Sequence, residues 1–181
     1  SGIKKALNSS GGGGNYNYTI TLPSSRPVVQ DLVNDPLKKE ENLNPMEKQL
    51  NYYQNALNSL ASTDSKYMYD LIAYENRVKA IKDCPAASSL YANRMSRITP
   101  TKTSIAQEQA NTTDALEYIA ATRTRLQTSN SSSEQRAIFT EYMEAVEDRG
   151  YPGLQAEGFR KSQYRDDKYD ADNDTELVNM T

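Results

Sequence analysis

The chain has 181 residues, with 21 Lys and Arg against 24 Asp and Glu, no His, no Trp and one Cys, and a mean hydropathy of -0.82. That length predicts one domain, and an apolar content of 36% is thin for a compact globule, so the apolar residues must be gathered into stripes. Without His the sequence excludes Ser-His-Asp triads, imidazole bases and His-ligated zinc or haem, and the lone Cys84 excludes an intrachain disulfide or a thiolate cage.

The net charge of -3 argues against a nucleic-acid binder that works by neutralising phosphates. No apolar run approaches the ~18–20 residues a membrane span needs. Neither a nucleic-acid partner, a membrane span nor a cofactor is expected.

Residues 1–14 end in four glycines, Gly11 to Gly14, and read as a flexible tether. Asn15 to Leu22 then alternates, with Tyr16, Tyr18, Ile20 and Leu22 on one side and polar residues on the other, which predicts a strand over 15–22. No comparable second strand follows it. It therefore either adds to a sheet in another molecule, with the Gly run giving reach, or lies on the chain's own helices. Pro23, Pro27 and Pro36 keep the following stretch extended or turn-like; residues 15–44 are read as an extended arm.

From Met46 the period changes. Met46, Leu50, Tyr53, Leu57, Leu60, Asp64, Tyr67, Leu71, Tyr74, Val78 and Ile81 step by four and three in turn, and only Asp64 is polar. This is the seam of a coiled coil or long bundle helix, about 55 Å in length. Asp64 lies among the cap formers Ser62, Thr63 and Ser65, so it either breaks the helix in two or fixes register as a polar seam residue. Cys84-Pro85 marks a turn, with Cys84 a turn residue or an intermolecular bridge.

A weaker stripe follows at sevenfold spacing through Tyr91, Ile98, Ile105, Thr112, Ile119 and Leu126. Pro100 interrupts it, predicting that the continuous helix starts between Thr101 and Ser104, where Ser104 and Gln107 resemble a capping box. A third start, Ser131 to Glu134, opens a run carrying Ile138, Phe139, Tyr142, Met143 and Val146, and Gly150 and Pro152 end it. The fold expected is mainly α: an elongated helical hairpin or three-helix bundle over 45–150 with coiled-coil-like heptads, plus the arm and its one β-strand.

Residues 151–181 read as an acidic C-terminal tail, with six acids and two bases from Tyr164 onward. Within it Asp170, Asp172 and Asp174 occupy the first three ligand positions of a calcium loop, but Thr175 and Thr181 stand where Gly and Glu are required. They are weak metal candidates, and a solvated tail is the plainer reading. Glu141 and Glu144, with Glu147 and Asp148, could in principle serve a carboxylate-based hydrolase, though such spacing also describes any exposed helix face.

Thirteen Tyr against two Phe suit narrow cores or half-wet contact surfaces. Interaction is therefore expected at Tyr16, Tyr18, Ile20 and Leu22 of the arm, and at Tyr67, Tyr69 and Tyr74, where a partner helix could lie. In broad character the chain is similar to structural subunits of virus particles and to helical accessory proteins of bacterial secretion or conjugation machines, a likeness that rests on no motif. The function expected is a non-enzymatic structural or assembly protein with other protein subunits as partners, virion-borne or extracytoplasmic. The alternatives are an extracellular binding module or adhesin with a Tyr-rich face, and the hydrolase.

Overall fold

The computed structural model describes the backbone of residues 6–8, 17–19, 39–149 and 154–181, and the side chains of 43–146 and 157–181. The described residues are mainly helical. Two short backbone segments, β1 (Ala6–Asn8) and β2 (Asn17–Thr19), pair antiparallel with Leu7 opposite Tyr18. The strand expected over 15–22 is thus described only at 17–19; Tyr16, Ile20 and Leu22 lie outside the described residues. The segment it pairs with precedes it in the chain and has no alternating pattern.

The helix α1 runs from Lys39 to Lys79 without interruption. This corrects one expectation and decides between two readings of another stretch. It begins within the stretch read as extended arm, and it contains Pro45; so close to a helix start, a missing N–H forfeits a single i−4 bond. It also passes through Ser62 to Ser65, because Asp64 is drawn inward to a buried counter-charge rather than capping an end. Every seam position from Met46 to Ile81 is buried except Tyr74, which is half-buried.

A short 3₁₀ turn at Pro85–Ala87 leads into α2 (Ser88–Thr128). Here too a Pro expected to mark a helix start, Pro100, sits inside the helix. The hydroxyls of Thr101 and Thr103 donate to the carbonyls of Arg97 and Thr99 at 2.7 and 3.2 Å, back-bonds that flank the site of the missing N–H. Ser104 accordingly caps nothing; it is buried mid-helix. Of the sevenfold stripe, Ile98, Ile105, Thr112, Ile119 and Leu126 are buried and Tyr91 is half-buried.

The helices α1 and α2 run antiparallel. Lys102 reaches Glu75 at 2.8 Å, and near the other end Arg123 reaches Glu47 at 2.8 Å and donates to Asn51 and Gln54 at 2.9 Å each. At 1.5 Å per residue each 41-residue helix is about 60 Å long. The helix α3 (Ser132–Arg149) begins where the sequence places it: the Glu134 N–H donates to Ser131 Oγ at 3.2 Å and Glu134 accepts from the Asn130 N–H at 2.9 Å, a reciprocal cap.

Beyond it the chain is helical again. Instead of a solvated tail, the structure has α4 (Leu154–Asp172) and α5 (Thr175–Met180) packed on the hairpin. Acidic residues do not prevent this because Glu157, Asp167, Asp174 and Glu176 find donors on α1 and α2. Two apolar clusters result. One joins Leu43, Met46, Leu50, Tyr53 and Leu57 to Ala115, Ile119, Leu126 and the inner face of α3; the other joins Tyr67, Leu71, Val78 and Ile81 to Ile98, Ile105 and Leu177 of α5. In the first, the Tyr142 ring meets Tyr53 and Tyr118 edge-on, with centroids 6.2 and 5.7 Å away, and each large apolar side chain buried contributes roughly 1.5–3 kcal/mol.

Candidate functional site

Between α1, α2 and α4 lies a cleft of about 310 Å³ lined by both apolar and charged groups, among them Tyr67, Tyr74, Arg94, Tyr164 and Asp167. Its geometry follows from matching spacings. Tyr67 and Tyr74 are one heptad apart on α1 and so share a face; Asp167 and Asp174 have the same separation. The Tyr67 hydroxyl donates to Asp167 and the Tyr74 hydroxyl donates to Asp174, so α4 runs parallel to α1. A third pair has the opposite sense: Tyr164 of α4 donates to Asp70 of α1. The Tyr67 and Tyr164 rings lie 5.2 Å apart with planes tilted 30°.

The open end is closed by α2. Arg94 donates to both Asp174 oxygens, at 2.9 and 3.0 Å, and to Glu176 at 3.2 Å. Asp174 also accepts from the Leu177 N–H at 3.2 Å, which makes it the N-cap of α5. Arg77 lies 5.7 Å from the centroid of the Tyr74 ring and donates to the Ala171 carbonyl at 3.2 Å.

The titration behaviour matches a set of satisfied hydrogen bonds. Arg94, with help from Tyr74 and the Leu177 N–H, holds the Asp174 carboxyl well below the usual carboxylate range. Burial and the Asp174 carboxylate push the Tyr74 phenol up to about 12, and the hydrogen bond to Asp70, with burial, does the same for Tyr164. Burial raises Asp167, against the pull of the Tyr67 hydroxyl. The phenols are thereby poor bases and nucleophiles near neutral pH, and what this arrangement does is clamp helices together.

Deeper, where α4 crosses the hairpin, Arg160 is fully buried. Its Nε lies 2.7 Å from Glu108 of α2 and 3.3 Å from Asp64 of α1, while Nη2 donates to Ser104 at 3.0 Å and Nη1 to Gln163 at 2.6 Å.

The residues singled out in the sequence are thus dispersed. Tyr67 is buried and Tyr74 half-buried against α4, so the helix received by this face is the chain's own; Tyr69 points away and is 76% exposed. Tyr18 belongs to β2. Of the calcium candidates, Asp170 and Asp172 lie on α4, Asp172 pairs with Lys168 at 3.1 Å, and Asp174 is engaged by Arg94. Among the described residues no group of three or more acids or Cys could hold a metal ion. Glu141 is exposed and 2.9 Å from Arg125, Glu144 is exposed, and neither lines the cleft; Glu147 and Asp148 lie on α3. Cys84 is a free thiol, partly buried.

Sequence reasoning missed Arg94, Glu108, Arg160 and Asp167. The only local signal was the equal spacing of two Tyr and two Asp. Among the described residues no helix is long and apolar enough to cross a membrane. No protein-family model matches the chain, and no curated protein or solved structure matches it.

Proposed function

We propose that the chain is a non-enzymatic structural or assembly protein of a larger particle, of the virion or secretion-apparatus kind, in which an elongated helical bundle with a heptad seam acts as spacer and the N-terminal segment docks on a neighbouring subunit. The observation that carries this reading is the pair of antiparallel 41-residue helices, α1 and α2, whose seam is filled from end to end by the chain's own α3, α4 and α5. Such a rod needs no partner for its core, which leaves the docking role to the arm residues Tyr16, Tyr18, Ile20 and Leu22. The engagement of the cleft's Tyr and Asp side chains with one another supports a scaffold over a hydrolase. Tyr67 and Tyr74 are taken up by α4, so a receptor-binding face would have to be built on Tyr69 without them.

Deleting residues 1–22 tests it. Assembly, read by light scattering, is expected to be lost while far-UV circular dichroism stays nearly unchanged; assembly that survives the deletion would sink the docking arm. Substituting Tyr69→Ala is expected to leave assembly intact.

A further inference from the structure

Three ionisable side chains from three helices meet in the interior: Asp64 of α1, Glu108 of α2 and Arg160 of α4, exposed by 0%, 3% and 0%. Two carboxylates face one guanidinium. If both were ionised, one negative charge would be buried without compensation, a cost large enough that such groups keep a proton instead. Glu108 takes the shorter contact to Arg160, 2.7 Å against 3.3 Å, so the retained proton falls to Asp64. Neither Asp64 oxygen accepts a hydrogen bond, and the Arg160 Nε 3.3 Å away already donates to Glu108.

The same cluster is what holds α4. From Glu157 to Asp172, Arg160 is its only buried residue, and the helix has no apolar stripe of the kind that docks most surface helices. Its other contacts are half-buried or exposed hydrogen bonds, among them Ser59 to Glu157, Tyr67 to Asp167, Tyr164 to Asp70 and Arg77 to the Ala171 carbonyl, with the Tyr164 ring against Tyr67.

We infer that Asp64, Glu108 and Arg160 form a proton-dependent latch: the groove between α1 and α2 grips α4 while Asp64 is protonated, and releases it as both carboxylates become charged.

The sign follows from the cluster's chemistry. Burial, then the Glu108 charge, pushes Asp64 up from 3.8 to about 9. A carboxyl raised in the folded state favours folding fully below the ordinary carboxylate range, and that contribution is lost progressively as pH rises from about 4 to about 9. The other charged groups on the packed elements, Asp167 apart, leave this window to Asp64. Glu157 is engaged by Ser59 and by Lys161; Asp174, held low by Arg94, acts with the opposite sign below about pH 4; Tyr74 and Tyr164, raised from 10 to about 12, act above pH 10. Asp167, also raised by burial, adds in the same direction as Asp64.

Hydrogen exchange of the full chain, read by mass spectrometry from pH 6 to 9.5 and corrected for intrinsic rates, tests the latch. Protection of residues 157–172 is expected to fall by up to tenfold per pH unit, one proton being lost per opening, while α3 keeps its protection. Asp64→Asn, which fixes the neutral state, is expected to keep α4 protected and to flatten the dependence to what Asp167 adds. Glu108→Gln, which leaves one carboxylate for one guanidinium, is expected to flatten it likewise and serves if the first variant does not fold. Flat protection in the native chain, an unchanged slope in the folded variants, or α3 and α4 opening together would overturn it.

Discussion

Arg94 and Asp174, eighty positions apart, form a two-pronged ion pair with contacts of 2.9 and 3.0 Å, and the same carboxylate caps α5 through the Leu177 N–H. One acid therefore does three things at once: it terminates the break between α4 and α5, receives the Tyr74 hydroxyl, and ties the chain's end to α2. The side chains are 12% and 4% exposed, so solvent screens the pair little.

Arg94→Ala is expected to cost about 2–4 kcal/mol at neutral pH, because it strands a nearly buried carboxylate. Since Asp174 is held below the ordinary carboxylate range, the pair's contribution is complete above about pH 4 and is lost as pH falls further. Urea denaturation of both chains at pH 7 and pH 2 checks this: the gap between them should narrow in acid.

Two tyrosines of the α1 stretch should separate cleanly. Tyr67→Phe removes the hydroxyl that Asp167 accepts and is expected to cost about 1–2 kcal/mol, whereas Tyr69→Phe, on the outer face, should stay within about 0.5 kcal/mol. Because the lost hydroxyl opposes the effect of burial, the Asp167 carboxyl should titrate higher still in the first variant. Thermal unfolding and a carboxyl-detected NMR titration measure the two effects.

Pro100 lies in the interior of α2, where Pro is about 3 kcal/mol less favourable than Ala. Pro100→Ala restores an i−4 donor, although it also frees the unfolded chain, which offsets about 0.4–1 kcal/mol. A net stabilisation of about 1–2 kcal/mol is expected, seen as a rise in Tm; a fall would mean that α2 is shaped around the proline.

The apolar periodicity of α1 was legible because a 4-3 repeat forces Met46, Leu50, Tyr53 and their successors onto one stripe whatever they pack against. The start of α3 was equally local, resting on Ser131 and Glu134. Pro100 misled for a physical reason: a residue that weakens a helix ends it only when tertiary packing does not outweigh the loss, and the turns beside Pro100 are buried at Ile98, Thr101 and Ser104.

The sequence by itself determined that the chain is mainly helical, that its apolar residues are spent on narrow seams, and that imidazole chemistry is closed to it. Composition and period are properties of the chain, and they survive any choice of partners. Only the tertiary structure decided that the acidic residues from Glu157 onward form helices clamped to the hairpin, and that Asp64 is not a break but a polar seam residue, one of two carboxylates on Arg160. Charge pairing such as that of Arg160 with Glu108 and Asp64, or of Arg94 with Asp174, depends on which faces meet. A sequence read along its length states the charges without stating what will stand opposite them.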